Sequence, residues 1–535
     1  MKITFVAIGS EQLGLSLLSA MAKRDGHEVN LAYSAALFHD RWNLEIPWLA
    51  KSFDDRDEVI KTIRETNPDV LLFSCLTATY QWMLSIAAEA KTINPNVKTV
   101  FGGVHVSAVP EIVIQNRQVD YLVVGEGELA FPAILKAIET GVHNGPIENT
   151  WYRNEEGKTI KGIQKGFNQD LDSLPAFDKT LWENDIIVGD RYLTMTSRGC
   201  PYRCTFCFNN FFAELPEDKK TKGKYVRLRS IDHVMTELLE AKKRYKGLKY
   251  IDFQDDVFTT SKEWLREFLG RYKKEINLPF QCLTHPKYID DDISRWMKEA
   301  GCMWVQLGVQ SMDEEFKNKN LKRYERSDHI RTALEVMHKH GLKVKVDHMF
   351  GLPGEPISAQ EKALSLYSEF VPARIQTFWT CFLPGTELMK EGLAEGIINE
   401  ADAKRLNEGL DFYFYRNADN IKNEEMVRAY KSYEFLFKIM PLMPKAVRLR
   451  IKAKHVQWIP AFIKGPTAFF ADLVTGFANR NPDFEAYAKH YMYQMYRGMR
   501  RKIGLKVYGA SSINLQNGQT EDNSPFLTKR AAAVL

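Results

Sequence analysis

Apolar runs of strand length alternate with amphipathic stretches through most of this chain. Lys2–Ile8, Glu28–Tyr33, Val70–Ser74, Thr99–Phe101 and Tyr121–Val124 are runs of strand type. Between them Leu13–Arg24, Asp57–Thr66, Trp82–Lys91 and Ala108–Asn116 carry apolar residues at helical spacing. Asp25-Gly26, Asn67-Pro68-Asp69 and Asn94-Pro95-Asn96 punctuate the series as turns. Strands separated by helices of this kind predict an α/β fold, with a doubly wound parallel sheet covered on both faces. Ligands of such sheets gather at the carboxyl ends of the strands. Those ends carry Gly9-Ser10, Ser74 with Thr77 just beyond, Gly102-Gly103-Val104-His105, and Gly125-Glu126-Gly127-Glu128.

The rhythm breaks over residues 141–190, a linker rich in Gly, Pro and Asn with a hairpin around Trp151–Ile160. It resumes over residues 191–395. The spacing predicts strands at Tyr192–Ser197, Tyr250–Gln254, Phe280–Leu283, Trp304–Val309, Lys343–Phe350 and Ile375–Thr380. Helices are expected at Val234–Tyr245, Lys262–Tyr272, Ile293–Glu299, His329–His340 and Ser358–Glu369. Six such units make a partial (βα) barrel, whose chemistry belongs at the strand carboxyl ends. Residues 396–535 read as mainly helical. Between Glu434 and Asp472 the cations Lys438, Lys445, Arg448, Arg450, Lys452, Lys454 and Lys464 occur without an acid. Pro441, Pro444, Trp458, Pro460, Phe462, Phe469 and Phe470 are interleaved with them. Such a stretch is either the solvated face of a helical cap or a surface for peripheral membrane contact.

Bulk composition narrows the class. At 535 residues the chain exceeds one ordinary core. With 44% hydrophobic and 26% charged residues it is of globular type. A net charge of +5 over this length does not call for nucleic acid. No run of about 20 uncharged apolar residues is present, so a spanning helix is not expected. Of the seven cysteines, Cys75, Cys282, Cys302 and Cys381 are scattered, which is not a disulfide framework and suits a reducing cytoplasm.

The other three cysteines carry chemistry. Cys200, Cys204 and Cys207 are spaced C-x3-C-x2-C directly after the first barrel strand. Three thiolates hold three irons of a cubane cluster and leave the fourth open to a small molecule. Zinc, the alternative, wants four ligands in a closed structural site, and the next candidate along the chain is His233.

With these motifs the chain resembles the radical SAM (S-adenosylmethionine) superfamily, and within it the cobalamin-binding branch. The resemblance covers most of residues 1–395. It implies a [4Fe-4S] cluster on Cys200, Cys204 and Cys207, with SAM chelating the open iron and yielding a 5′-deoxyadenosyl radical on reduction. Phe206, just before the third cysteine, would approach adenine. Asp255 and Asp256 fall in the segment that meets the SAM amino group, although either could instead cap the next helix. Gln310-Ser311 resembles the ribose segment, with Gln310 in place of the usual glutamate. Gly351 and Pro353 lie in the Gly-x-Pro-Gly segment near adenine, and Pro384-Gly385-Thr386 resembles a turn of the cobalamin-binding branch. Ser10, Ser74, Thr77, Gly102, Gly103, His105, Gly125, Glu126 and Gly127 would line the cobalamin site. The loop Gly9–Gly14 lacks the cobalt-ligating histidine of many cobalamin proteins, and His27 follows the first helix, so cobalt is expected without a histidine below it.

The resemblance also implies an external electron donor such as flavodoxin or ferredoxin, and a small-molecule or lipid-like substrate facing Trp379 and Phe382. It implies hydrogen abstraction followed by methyl transfer from methylcobalamin. The alternatives are an oxidative cyclase or rearrangement enzyme of the same branch and, from another class, an iron–sulfur redox or sensor protein.

Overall fold

The computed structural model describes residues 1–535 except 41–43, 143–144, 155, 218–221, 411–423, 457, 460–465, 506, 508 and 512–535. Of the basic aromatic stretch, Pro460, Phe462 and Lys464 therefore lie outside the described residues.

Two parallel sheets follow one another. The first runs in the order Glu28–Ser34, Lys2–Ile8, Val70–Ser74, Lys98–Gly102 and Tyr121–Val123, all parallel. Lys2–Ile8 and Val70–Ser74 lie side by side while the chain winds outward on either side of them. That is a topological switch point, where ligands of open sheets bind. These strands read as continuous apolar runs because both faces are covered: Phe5, Val6, Leu71, Leu72 and Phe73 are all buried. The hairpin Thr150–Arg153 and Thr159–Lys161 extends this sheet as two antiparallel edge strands.

The second sheet is an open six-stranded parallel barrel in chain order: Arg191–Thr194, Tyr250–Phe253, Phe280–Thr284, Cys302–Gln310, Lys343–Phe350 and Arg374–Trp379. Helices Ile231–Arg244, Lys262–Glu275, Asp291–Glu299, Ser327–Lys339 and Ser358–Glu369 cover its outside. Helix starts are capped as their sequences require: Ser230, Ser261 and Asp290 accept backbone N–H bonds from His233, Trp264 and Ile293. The helix after the second barrel strand is thus capped by Ser261, and neither Asp255 nor Asp256 has that role.

Helix Pro482–Lys502 closes the amino-terminal end of the barrel. Its Asp483 receives Gln281 Nε2 at 2.6 Å and Lys345 Nζ at 2.5 Å, with Arg191 at 3.8 Å. Helix Glu424–Ile439 packs on the last barrel strand, where Glu434 accepts from Thr377 Oγ1 and Trp379 Nε1, each at 3.2 Å. Trp379 is half-buried and tied to this helix, whereas Phe382 is fully buried in a core with Leu388 and Met389 and is not an open substrate-facing side chain. The basic stretch divides. Arg448 is buried and Lys438 pairs with Glu434, while Lys445, Arg450, Lys452 and Lys454 are exposed beside exposed Leu442, Val447, Leu449 and Trp458. Among the described residues no helix is long and apolar enough to cross a membrane.

Candidate functional site

The cysteine loop is anchored from below by one carboxylate. Asp255, at the carboxyl end of the second barrel strand, is buried and accepts from Thr196 N–H at 3.0 Å, Thr196 Oγ1 at 2.8 Å and Ser197 Oγ at 2.5 Å. Two residues on, Gly199 has φ +82°, and a Cβ there would sit 2.3 Å from the Tyr225 carbonyl oxygen, so only glycine fits before Cys200. Cys204 is buried and Cys200 and Cys207 are half-buried. Arg203 lies over the Tyr225 ring at 4.8 Å and donates to the Cys200 carbonyl at 2.8 Å, which holds the loop's shape. Asn209 Nδ2 lies 3.7 Å from Cys207 Sγ and Arg323 Nη1 lies 3.8 Å from Cys204 Sγ. Burial pushes the Cys200 and Cys207 thiols up to about 12, with the Asp256 charge adding to it. Thiols so placed give up their protons to a metal and not to water.

Asp256, beside the buried Asp255, is exposed and close enough to raise those thiols electrostatically. One carboxylate is spent on the frame, and its neighbour, touched by the Asn209 side chain, faces the opening. Around the same opening, Gln310 sits at φ +63° on an irregularity in the fourth barrel strand, an uncommon conformation for a non-glycine residue. Ser311 is fully buried and accepts from Asp313 N–H at 3.2 Å. Gly351 takes φ +75° to turn the chain after the fifth strand, and Pro353 follows half-buried. Phe206 is half-buried between two apolar clusters, one with Phe382 and Leu388 and one with Phe316, Met349 and Leu352.

These residues fit a cluster better than a single ion. Among the described residues no three His, Cys, Asp or Glu side chains converge on one metal-ion position. A closed zinc site requires such convergence, whereas a cubane takes each thiolate on a different iron.

The carboxyl end of the first sheet supplies the facing wall. Gly103, at φ +98°, brings the fourth strand's end against the third: a Cβ there would lie 2.7 Å from Cys75 N and 2.8 Å from Cys75 O. Gly102 O accepts from Cys75 N–H at 2.8 Å. His105 is buried, its Nδ1 3.1 Å from Thr77 Oγ1 and its ring 4.4 Å from that of Tyr80. Burial lowers its pKa to about 4, so the imidazole is neutral, and its buried Nε2 has no hydrogen-bond partner among the described residues. A buried nitrogen left so is costly, and an amide-edged ligand would complete it. Ser10 is exposed and Ser74 half-buried at the switch point, beside Leu76, which is 56% exposed. Such a polar rim with an apolar floor suits the edge and face of a corrin.

Gly125, at φ +84°, donates its N–H to Ser107 Oγ at 2.9 Å, and Gly127 opens the next helix against Leu18. Glu126 is taken up across the interface by Arg227 at 2.6 and 2.9 Å and by Arg198 at 3.5 Å. Arg198 also reaches Glu128 at 2.5 Å. The Gly385 turn abuts Ala108 and Phe211, and Gly409 abuts Thr77 and Tyr80. The strand ends of sheet and barrel therefore face each other, with the cysteine loop between them. Sequence reasoning missed the roles of Arg203 and Asn209, although both lie within two residues of a motif cysteine. It also missed Arg323, which no local signal marks.

Comparison with known proteins agrees with this geometry. Residues 10–135 match the B12 binding domain and residues 194–366 match the Radical SAM superfamily. An uncharacterized methyltransferase of Pyrococcus horikoshii is 28% identical over 407 residues, covering 74% of this chain and 84% of that protein. In fold, the chain is similar to the radical SAM methyltransferase TsrM of Kitasatospora setae, solved with cobalamin and a [4Fe-4S] cluster. That match has a TM-score of 0.58 and 17% identity, over 74% of this chain and 78% of that one. It is similar also to the cobalamin-dependent radical SAM enzyme OxsB, with a TM-score of 0.61 and 13% identity over 96% and 83% of the two chains. Three thiols on one barrel loop, set against the carboxyl end of a B12-type sheet, place this chain among the cobalamin-binding radical SAM enzymes.

Proposed function

We propose that this enzyme methylates a carbon centre of a small-molecule substrate, with Cys200, Cys204 and Cys207 holding the [4Fe-4S] cluster. The observation that carries the reading is the opposition of the two strand-end surfaces, seen where Gly385 meets Ala108 and where Arg198 meets Glu126 and Glu128. When bound, the cluster, SAM and cobalamin supply one-electron cleavage of SAM, hydrogen abstraction and delivery of a methyl group. The chain's own residues bind and orient. Asp256 pairs with the SAM ammonium through a charge-assisted hydrogen bond. Phe206, Gly351 and Pro353 receive adenine, and Gln310 with Ser311 receives the ribose. Ser10, Ser74, Thr77, Gly102, Gly103, His105, Gly125, Glu126 and Gly127 form or brace the cobalamin rim. On this division residues 1–140 bind cobalamin, 141–190 link, 191–395 form the catalytic barrel and 396–535 cap it.

The test is anaerobic reconstitution with iron, sulfide and cobalamin, followed by quantification of methionine, 5′-deoxyadenosine and S-adenosylhomocysteine. Substrate turnover without S-adenosylhomocysteine would reject methylation in favour of cyclisation. Failure to cleave SAM at all would reject the reading entirely. Seven free cysteines support a reducing, cytoplasmic setting, in which flavodoxin or ferredoxin supplies the electron. The exposed Trp458, Val447 and Leu449 among Lys445, Arg450, Lys452 and Lys454 support peripheral contact with an anionic membrane and a lipid-like substrate. Co-sedimentation of the full chain with phosphatidylserine vesicles tests that contact, and equal sedimentation with neutral vesicles would remove it.

A further inference from the structure

Behind Cys204 lies a group of buried charges that neither the sequence motifs nor the proposed reaction uses. Arg323, Glu325 and Lys317 are 5%, 0% and 0% exposed. Two cations share one carboxylate there: Lys317 Nζ and Arg323 Nε each donate to Glu325 Oε1 at 3.1 Å. His285 Nε2 stands 3.4 Å from the other Glu325 oxygen, and burial keeps that imidazole neutral, its pKa lowered to about 4. Burying charge in this way costs free energy that an apolar packing would avoid. The guanidinium is held at three corners. Nε is on Glu325, Nη2 donates to the Gly308 carbonyl at 2.8 Å, and Nη1 is aimed at Cys204 Sγ at 3.8 Å. Arginine's planar fork makes such a three-point clamp possible, and lysine could not reproduce it.

We propose that Arg323 is a positioning residue that sets the reduction potential of the cluster, acting through the Cys204 thiolate. The proposal rests on the reading that these thiols hold a cluster. A fixed positive charge and an N–H directed at a ligating sulfur stabilise the more negative, reduced state, so they raise the midpoint potential. Cys200 receives the neutral backbone N–H of Tyr202, and Cys207 receives the neutral backbone and side-chain N–H groups of Asn209; among the described residues only Cys204 is given a cationic donor. The three ligated corners are therefore electronically unequal, with Cys204 the one under cationic control.

The test is an EPR-monitored redox titration of the reconstituted full chain without substrate, comparing wild type with Arg323→Gln, Arg323→Lys and Glu325→Gln at matched iron and sulfide content. Arg323→Gln is expected to lower the reduced-to-oxidised ratio at a fixed potential about tenfold, a shift of about 59 mV to more negative potential for one electron. Arg323→Lys keeps the charge and loses the clamp, so its shift should be smaller and of the same sign. Glu325→Gln keeps an acceptor for Arg323 Nε but removes the buried negative charge, so its midpoint should move to more positive potential, and a negative shift would overturn the charge control proposed here. An unchanged midpoint in Arg323→Gln would overturn the proposal. So would loss of the cluster from both Arg323 variants with native circular dichroism, since Arg323 would then serve assembly alone. A shifted midpoint in a protein that never cleaves SAM would sink the proposed function and leave this inference standing.

Discussion

Asp255 and Asp256 are adjacent in the chain and chemically identical, yet the fold separates their duties. Asp255 is buried under three donors from Thr196 and Ser197, and Asp256 is exposed over the thiols. Asp255→Asn replaces an acceptor-only group with one that also presents N–H to those donors. It should cost about 1–3 kcal/mol in urea denaturation, the penalty of buried groups left unsatisfied. Asp256→Asn should leave the urea midpoint unchanged and weaken SAM binding to the reconstituted protein by about 1.5–3 kcal/mol, the worth of a hydrogen bond to a charged group. If equilibrium dialysis showed the two variants binding SAM alike, Asp256 would lose its assignment. Glu355 gives a pH-dependent counterpart. It is 1% exposed, and burial pushes its pKa from 4.5 up to about 8. Between those values the folded chain keeps a proton that the unfolded chain has released, so stability declines as pH rises through that window. Glu355→Gln imitates the protonated carboxyl and should flatten the decline of the urea midpoint between pH 6 and 9. A slope equal to wild type would show that some other group titrates there.

At the scale of elements, the strands and covering helices were legible because their periodicity is enforced by burial on both faces. Lys2–Ile8, Val70–Ser74 and Lys343–Phe350 fall where their apolar runs begin and end. The expected helix Ala108–Asn116 is shortened to Pro110–Val113, and a separate short helix Val104–Ala108 precedes it, the two parted by Val109 with φ −137° ahead of Pro110. The cysteine loop and its glycine were legible as motif, but the partners holding it, Tyr225 and Arg323, come from distant segments whose local sequence marks nothing. The closing helix Pro482–Lys502 was less legible still. By sequence, Asp483 is an ordinary acid in a first helical turn, and only the fold reveals Lys345, Arg191 and Gln281 waiting for it. Asp483→Ala should destabilise the protein by about 2–3 kcal/mol in urea, below the range for fully enclosed pairs because 27% of the side chain stays exposed. Gly103→Ala belongs to the same scale. Its Cβ would meet the Cys75 backbone at 2.7 Å, and backbone cannot step aside as a side chain can. Loss of bound corrin, read by its visible absorbance at matched protein concentration, is the expected outcome. Retention of stoichiometric corrin would show the loop to be more compliant than its packing indicates.

For the whole molecule, the decisive quantity is how firmly the B12-type sheet is held against the barrel, because radical chemistry tolerates little water between the two. Much of that hold rests on one buried pair. Arg227, with 4% of its side chain exposed, forks onto Glu126, with 14% exposed, at 2.6 and 2.9 Å. The same arginine donates to Asn168 O at 2.7 Å, so linker, sheet and barrel meet at one guanidinium. Burial alone would raise the Glu126 pKa, but Arg227 and Arg198 pull it below its usual value. A carboxylate so depressed lends stability that is fully present above its unfolded value and is lost as pH falls through the folded one. Arg227→Met removes the fork while keeping the apolar stem, and leaves Glu126 with the Asn168 N–H at 2.9 Å and Arg198 at 3.5 Å as its remaining cation. The expected cost is about 3–5 kcal/mol, as for other buried pairs broken from one side. The companion change Glu126→Gln should recover part of that loss, because the stranded charge, and not the missing contact, carries most of the penalty. The functional signature should be separable from the stability loss. With the two surfaces loosened, the reconstituted variant should still cleave SAM at the barrel, while methyl transfer per 5′-deoxyadenosine formed falls. An unchanged ratio of methylated product to 5′-deoxyadenosine, at a temperature where the variant is folded, would mean that the two halves are registered by contacts other than this pair.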